Sequence, residues 1–206
     1  SALKAEAVEQ LAGEEEGKFD ADGDRAGALG STARHFVVHS PAMTTRNAVP
    51  RQVPVWRDEA SRKRLEAWHA RFRARIAVPV TSTTVDSSFG GSHVLLAGPD
   101  DAPPLVCLHA MRTGSAHLLS ELQPLAARFR LIAPDLPGQS VLGPQVRAPL
   151  SDSSLADWLV EVLDQLHVDR AHLLGVSWGG FVARLAASAH PDRFSAMVLI
   201  VPAGIV

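Results

Sequence analysis

The stretch that decides the fold is Leu173-Leu174-Gly175-Val176-Ser177-Trp178-Gly179-Gly180. An apolar run precedes the serine and an amphipathic pattern follows it, so Gly-x-Ser-x-Gly is predicted to join a buried strand to a helix. A serine on such a sharp turn adopts strained backbone angles and lifts its Oγ clear of the sheet. Side chains at 175 or 179 would collide with neighbouring elements, which explains the glycines. The stretch predicts Ser177 as a nucleophile at a helix N-terminus, where free N–H groups favour a developing negative charge.

Strands and helices are predicted to alternate on either side of this turn. The pattern consists of apolar runs at 105–108, 131–133, 171–176 and 196–201 and helical faces at 116–125, 155–166 and 178–189. Runs this apolar are typical of strands buried on both faces, and their alternation with helices predicts an α/β fold with a mostly parallel sheet. Upstream, a helix over 62–76 precedes two strands, 78–86 and 92–97, which we expect to form an antiparallel hairpin.

Two local features are predicted inside these helices. Pro124 should kink or restart the helix of residues 116–125, because proline cannot donate a backbone hydrogen bond. Ser154 with Asp157 matches a capping box and predicts where the next helix begins.

A second motif follows the apolar run 105–108, where His109-Ala110-Met111 leads into the next helix. The motifs along the chain are PPLVCLHA (103–110), RFRLIAPDLPGQS (128–140), AHLLGVSWGG (171–180) and HPDRFSAMVLIVPAG (190–204). In this order and spacing they resemble the α/β-hydrolase superfamily, specifically its cap-bearing esterase, lipase and peroxidase-like members. The resemblance covers about residues 78–206 and extends weakly back to the helix at 62–76.

The resemblance implies roles for four residues. Ser177 is the implied nucleophile, and the backbone N–H groups of Trp178 and Met111 are the implied oxyanion hole. His109 is implied to line the site or to support the oxyanion loop. The family usually has glycine where this chain has Ala110, so the loop that carries Met111 departs from the family's pattern at this position.

The residues that should activate Ser177 are not evident. A serine needs a base, the base needs an orienting acid, and in this superfamily acid and histidine follow the nucleophile in the chain. After Ser177 the sequence offers His190 and Asp192, in a connection that the resemblance places away from the active site. We therefore expect acid and base from residues beyond 206. The cap and last strands would be absent because the chain is truncated, because they form a separate complementary chain, or because catalysis has been lost.

Length and charge exclude several classes of protein. The 206 residues are 46% hydrophobic, carry a net charge of −2 and include one cysteine. We expect no internal disulfide, no nucleic-acid partner and no attraction to an anionic membrane. The first thirty residues lack a signal-peptide layout and no 18-residue apolar run occurs, which favours a soluble, cytoplasmic protein. No zinc cluster, nucleotide loop or dinucleotide fingerprint is found, so no metal or cofactor is expected.

The chain divides into two regions. Residues 1–60 have poor apolar periodicity and are interpreted as a partly irregular N-terminal extension, whereas 61–206 form the incomplete α/β-hydrolase core. Residues 1–24 carry a net charge of −6 and residues 25–75 a net charge of +8. The arginines of 62–75 are interpreted as a solvated face that the acidic segment could pair with.

The sequence favours one function and leaves one alternative from another class. The leading hypothesis is a serine hydrolase that cleaves an ester, or a related acyl bond of a small molecule, through an acyl-enzyme on Ser177. Aminopeptidase, C–C hydrolase and cofactor-free peroxidase chemistries use the same turn and stay open, whereas dehalogenases and epoxide hydrolases with an Asp nucleophile are disfavoured. The alternative is a catalytically inactive hydrolase-like module that binds a ligand or a partner protein.

Overall fold

In the computed structural model, which describes residues 51–204, these residues form four α-helices and six strands. The helices are α1 (Glu59–Arg73), α2 (Ser115–Leu122), α3 (Ser154–Gln165) and α4 (Trp178–Ala189). The strands are β1 (Val80–Val85), β2 (Ser92–Ala97), β3 (Pro104–Leu108), β4 (Arg130–Pro134), β5 (Ala171–Val176) and β6 (Phe194–Ile200). Short 3₁₀ turns occupy Gln123–Ala127 and Pro191–Arg193. Strands and helices alternate from β3 onward, which confirms the predicted α/β class.

The six strands form one sheet in the order β1-β2-β4-β3-β5-β6. Strands β4, β3, β5 and β6 run parallel to one another, whereas β2 is antiparallel to both β1 and β4. The mostly parallel sheet with an antiparallel hairpin is therefore confirmed. Leu108, the last residue of β3, pairs with Gly175 near the end of β5. The loops that follow these two strands consequently emerge side by side at the same edge.

The central strand β3 is buried on both faces, which explains its continuous apolar sequence. Val106 and Leu108 pack into the core formed with α3 and α4, while Leu105 and Cys107 pack into the core on the α2 side. All four side chains are fully shielded from solvent. Burial raises the pKa of the Cys107 thiol to about 12, so this cysteine fills the core and supplies no thiolate nucleophile.

Helix α1 begins three residues earlier than the apolar pattern predicts. Asp58 caps it: its carboxylate accepts the N–H of Ser61 at 2.7 Å, and the Ser61 hydroxyl oxygen accepts the N–H of Asp58 at 3.0 Å. This reciprocal pair is a capping box in which serine stands in the place usually taken by Glu or Gln.

The two local predictions inside the helices have different outcomes. Helix α2 ends at Leu122 and Pro124 lies in the 3₁₀ turn that follows, so the predicted interruption is confirmed. The predicted cap of α3 is wrong by one residue, because the N-cap is Ser153 and Ser154 is already helical. The Ser153 hydroxyl donates to the Asp157 side chain at 2.8 Å and accepts no backbone N–H of the first turn.

Residues 51–58 lie along the body of the protein ahead of α1. The Val53 N–H donates to the Gln145 carbonyl at 2.8 Å, and the Arg147 N–H donates to the Arg51 carbonyl at 3.2 Å. The remainder of the predicted extension, residues 1–50, lies outside the described residues, so the division at residue 60 stays a prediction. Within 51–204, no helix combines the length and the apolar character needed to cross a membrane.

Truncating the centre of the sheet should measure how far the fold depends on its two-sided core. Ile132 in β4 is fully buried, so Ile132→Val should lower the free energy of unfolding by about 1 kcal/mol and Ile132→Ala by about 2–5 kcal/mol. Urea unfolding followed by tryptophan fluorescence gives both values. Thr81→Ala on the exposed face of edge strand β1 is the control and should change stability by less than about 0.5 kcal/mol. Equal losses at 132 and 81 would contradict this description of the core.

Candidate active site

Ser177 stands on the turn between β5 and α4 with strained backbone angles. Its φ of 50° and ψ of −110° lie in a region that residues other than glycine rarely adopt. Two backbone hydrogen bonds hold it there, from the Ser177 N–H to the Ile200 carbonyl and from the Ala203 N–H to the Ser177 carbonyl, each 3.0 Å. Such strain costs on the order of 1–3 kcal/mol and persists where the surrounding structure fixes it. The local geometry is that of a nucleophile elbow.

The glycines around the serine allow the first turn of α4 to approach the sheet closely. A Cβ atom at Gly175 would lie 2.5 Å from the Gly179 carbonyl oxygen, and one at Gly179 would overlap the Leu108 carbonyl oxygen at the end of β3. Gly180, which the sequence reasoning did not single out, faces Pro202. A Cβ atom at Gly180 would lie 2.8 Å from the Pro202 Cβ. The pair Gly179-Gly180 in the sequence could have indicated that position 180 also lies in close contact. A side chain at any of these positions would push the elbow off the sheet.

The two implied oxyanion donors, Trp178 and Met111, both line one cavity. Trp178 is the first residue of α4, so its N–H has no acceptor within the helix. Neither this N–H nor that of Met111 donates to any of the described residues. The carbonyl of His109 would lie 2.8 Å from a Cβ on Gly179, which places the loop carrying Met111 directly against the elbow. The assignment of the two donors remains a prediction, and this arrangement is compatible with it.

His109 lies beneath the loop, not on the cavity wall. The side chain is fully buried, its Nδ1 hydrogen-bonds to the Ala110 carbonyl at 2.8 Å, and its Nε2 accepts the Leu136 N–H at 2.9 Å. Accepting at Nε2 requires a neutral ring, and burial correspondingly lowers the pKa of His109. With both nitrogens occupied, His109 supports the loop and cannot take a proton from Ser177.

Sequence reasoning missed Asp135, which organises this end of the sheet. Its carboxylate is fully buried and accepts hydrogen bonds from the Ser115 N–H (3.0 Å), the Ser115 hydroxyl (2.7 Å) and His93 Nδ1 (2.6 Å). Burial alone raises the pKa of this carboxyl, but the bonds from His93, Ser140 and Ser115 outweigh it and hold the pKa well below its usual range. The signal for it in the sequence was a charged residue directly after an apolar strand.

His69, His93 and Asp135 form the one group within 51–204 that could bind a metal ion by its residue types. Their potential ligand atoms all lie within 4.8 Å of one another. Asp135 already accepts hydrogen bonds from His93 and Ser115, and His93 Nε2 lies 2.7 Å from the Ser82 hydroxyl. Asp135 and His93 are thus engaged with the protein itself, whereas His69 Nε2 is buried without a hydrogen-bond partner among residues 51–204. The sequence-based expectation of no metal stays an expectation.

The histidine that follows Ser177 in sequence lies far from it. His190 is the C-cap of α4, and a helix of twelve residues separates it from the nucleophile by about 18 Å. Its Nε2 is hydrogen-bonded to Asp157 at 2.8 Å. No described residue forms a hydrogen bond with the Ser177 hydroxyl. In the part of the chain that the structure describes, Ser177 therefore has no hydrogen-bonded base.

A cavity of about 1220 Å³ opens beside the elbow. Its walls include Trp178 and Met111 from the proposed oxyanion hole, Trp68 from α1, and Val53 to Asp58 from the segment ahead of α1. Sequence reasoning assigned this last segment to the irregular extension and missed its contribution. The apolar group Val53, Val55 and Trp56, within an otherwise polar stretch, was the available signal.

The family model described as the alpha/beta hydrolase fold matches residues 103–205, which is half of the chain. The chain belongs to the α/β-hydrolase family. This match spans β3 to the end of β6 and therefore includes the elbow, the loop with Met111, and Asp135.

Related proteins include esterases. The carboxylesterase YbfK of Bacillus subtilis is 32% identical over 119 residues, which are 58% of this chain and 40% of that protein. A haloalkane dehalogenase of Psychrobacter cryohalolentis is 35% identical over 106 residues, 50% of this chain and 35% of that protein. The crystal structure of the naproxen esterase of Bacillus subtilis superposes with a TM-score of 0.64 at 26% identity, covering 72% of this chain and 52% of that one.

The chain therefore spans about half of the structure it resembles and less of the two relatives. The likeness supports membership of a family whose members include esterases and dehalogenases. It does not support a separate complementary chain, because each of these proteins carries the matched region within one longer chain.

Adding a methyl group at the elbow should destabilise the hydrolase through steric overlap. Gly179→Ala forces a Cβ onto the Leu108 carbonyl, and we expect a loss of about 3 kcal/mol or more in the free energy of unfolding. Gly90→Ala is the matched control, since its Cβ meets nothing within 4 Å and only its φ of 94° is unfavourable, at a cost of about 1 kcal/mol. Urea titrations of both variants make the comparison, and equal losses would contradict the close approach.

Stability should fall as the pH drops through the range in which an unfolded histidine takes up a proton. Burial lowers the pKa of His109 below its ordinary 6.5, so the unfolded chain binds a proton that the folded protein does not. The free energy of unfolding should then decrease below about pH 6.5, by up to about 1.4 kcal/mol per pH unit for this group. Urea midpoints at pH 7.5 and 5.5 measure the decrease. His109→Gln should be less stable at both values but show a smaller decrease, and an unchanged decrease would contradict the buried neutral ring.

Proposed function

We propose that this protein is a serine hydrolase that cleaves an ester, or a related acyl bond of a small molecule, through an acyl-enzyme on Ser177. The observation that carries the proposal is the strained elbow, which presents Ser177 at a helix N-terminus where the Trp178 N–H has no acceptor among residues 51–204. The strained Ser177 backbone and the unpaired Trp178 N–H lower the stability of the fold. The free N–H can, however, donate a hydrogen bond to an oxyanion that forms at this position.

The proposed reaction has two steps. The Ser177 Oγ attacks the carbonyl carbon while a base takes its proton, and the resulting oxyanion accepts hydrogen bonds from the N–H groups of Trp178 and Met111. The tetrahedral intermediate collapses, the alcohol leaves with the proton, and water then hydrolyses the acyl-enzyme to release the acid and regenerate Ser177. Each oxyanion donor contributes about 3 kcal/mol to lowering the barrier.

Base and acid are proposed to come from outside residues 51–204. Among the described histidines, His109 has both nitrogens occupied and His190 caps the far end of α4. In the family's chain order, acid and histidine follow the nucleophile, and we propose the same order here.

Acyl transfer is favoured over the dehalogenation named for one relative. An aspartate nucleophile forms an ester with an alkyl group, whereas a serine at the elbow attacks acyl carbonyls. Position 177 is serine. The likeness to a carboxylesterase over 58% of the chain points the same way.

A catalytically inactive binding module is the second candidate, and one observation favours it. No described residue hydrogen-bonds to the Ser177 hydroxyl, so nothing within residues 51–204 activates the serine. Such a module would retain the cavity beside the elbow and bind a ligand without turning it over.

A fluorophosphonate probe should label Ser177 in the full natural protein, because the probe reacts with a serine only when a base activates it. Ser177→Ala should abolish the labelling, whereas Ser188→Ala, an exposed serine on α4, should leave it unchanged. Intact-protein mass spectrometry and hydrolysis of p-nitrophenyl butyrate provide the two readouts. A folded full protein that is neither labelled nor active would overturn the enzyme proposal in favour of the binding module.

A further inference from the structure

The cavity beside the elbow is lined by basic side chains from four separate parts of the chain. Arg57 precedes α1, Arg64 lies on α1, Arg112 follows Met111, and Arg147 lies in the loop between β4 and α3. The acidic residue on the wall is Asp58, whose carboxylate accepts the N–H of Ser61 as the cap of α1. The cavity therefore has an excess of positive charge, although the whole chain carries a net charge of −2.

The four guanidinium groups are available to a ligand. All four residues are exposed, and none of their side chains forms a hydrogen bond or an ion pair within residues 51–204. By contrast, Arg62 on the same helix as Arg64 bridges Glu59 at 2.9 Å and Glu66 at 3.0 Å. Hydrogen bonds with Ser61 and the nearby charge of Arg64 lower the pKa of Asp58. Arg57, Arg112 and Arg147 therefore remain as the wall arginines without an acidic partner of this kind within residues 51–204.

Arg112 links this charge to the reaction centre. It directly follows Met111, the proposed oxyanion donor, and has a φ of 54°, which residues other than glycine rarely adopt. The Gln139 side chain accepts its N–H at 3.3 Å. Arg112 thus follows the proposed oxyanion donor in the chain and lines the same cavity.

The other walls of the cavity are aromatic. Trp56, Trp68 and Trp178 line it, from the segment ahead of α1, from α1 and from the elbow respectively. A cavity lined by both aromatic and positively charged side chains suits a ligand with an apolar body and an anionic group.

We propose that the cavity selects acyl substrates that have an apolar body and a carboxylate remote from the scissile bond, and that Arg112 and Arg147 are specificity-determining contacts for that carboxylate. This substrate class rests on the proposed hydrolase function, whereas binding of the carboxylate itself does not require turnover. Guanidinium groups pair with carboxylates through two parallel hydrogen bonds, which gives the recognition both charge and direction.

Two ligands of the same shape test the proposal. 4-Phenylbutyrate and 4-phenylbutyramide differ only in the charged terminus, and the three cavity tryptophans report binding of either by fluorescence. The carboxylate should bind about tenfold more tightly than the amide at low ionic strength. The difference should shrink as salt is raised, because the arginines are exposed and screened.

Variants locate the contact. Arg112→Gln and Arg147→Gln should each weaken carboxylate binding about fivefold and leave amide binding unchanged. Arg128→Gln is the matched control, since Arg128 is exposed and does not line the cavity. Equal affinity for both ligands, or equal effects of all three variants, would overturn the proposal.

Hydrolysis separates this proposal from the proposed function. In the full natural protein, the p-nitrophenyl monoester of glutaric acid should have a kcat/KM about tenfold above that of p-nitrophenyl butyrate, and Arg112→Gln should remove the difference. Hydrolysis of both esters without preference would keep the hydrolase function and overturn the carboxylate site. Selective carboxylate binding without any hydrolysis would do the reverse.

Discussion

The close approach of α4 to the end of β3 is the constraint on which the rest of this site depends. A backbone carbonyl, that of Leu108, occupies the space that a side chain at Gly179 would need. Because the helix lies so close, Ser177 has to make the turn within a single residue, and its positive φ follows from that geometry. The same contact brings the loop carrying Met111 against the first N–H groups of α4. The strained backbone of Ser177 and the position of the loop against the helix are thus consequences of one steric condition.

At the same end of the sheet, Asp135 connects elements on the opposite side of β3 from the elbow. It holds Ser115 at the start of α2 and His93 on β2, two elements that are not neighbours in sequence. A buried carboxylate is tolerated only when its hydrogen bonds replace the lost water, and the lowered pKa of Asp135 shows that they do. His109 adds a neutral link between the Ala110 carbonyl and the Leu136 N–H. The loop that carries Met111 therefore rests on a network of buried hydrogen bonds.

The parts of the fold that the sequence predicted are those decided by local sterics and periodicity. The strands and the elbow follow from apolar runs and from glycines at fixed spacing, and each is visible within about ten residues. The alternation of these strands with helices gives the α/β class. The cap of α1 was missed because Ser61 replaces the usual acid or amide of a capping box. Asp135 and the wall formed by Val53 to Asp58 were missed for a different reason, since their roles exist only through contacts with residues distant in sequence. A single sequence carries little signal for contacts of that kind.

The proposed reaction and the proposed substrate preference depend on different parts of this chain. The family match begins at residue 103 and contains the elbow, the loop with Met111 and Asp135. Much of the cavity wall lies outside it, because Trp56, Arg57, Arg64 and Trp68 precede the matched region. Substitutions in residues 53–68 can change what the cavity accepts without altering the steric condition at Gly179 or the network around Asp135. Relatives that share the matched region, an esterase and a dehalogenase among them, can therefore keep the same scaffold for the reaction while binding different substrates.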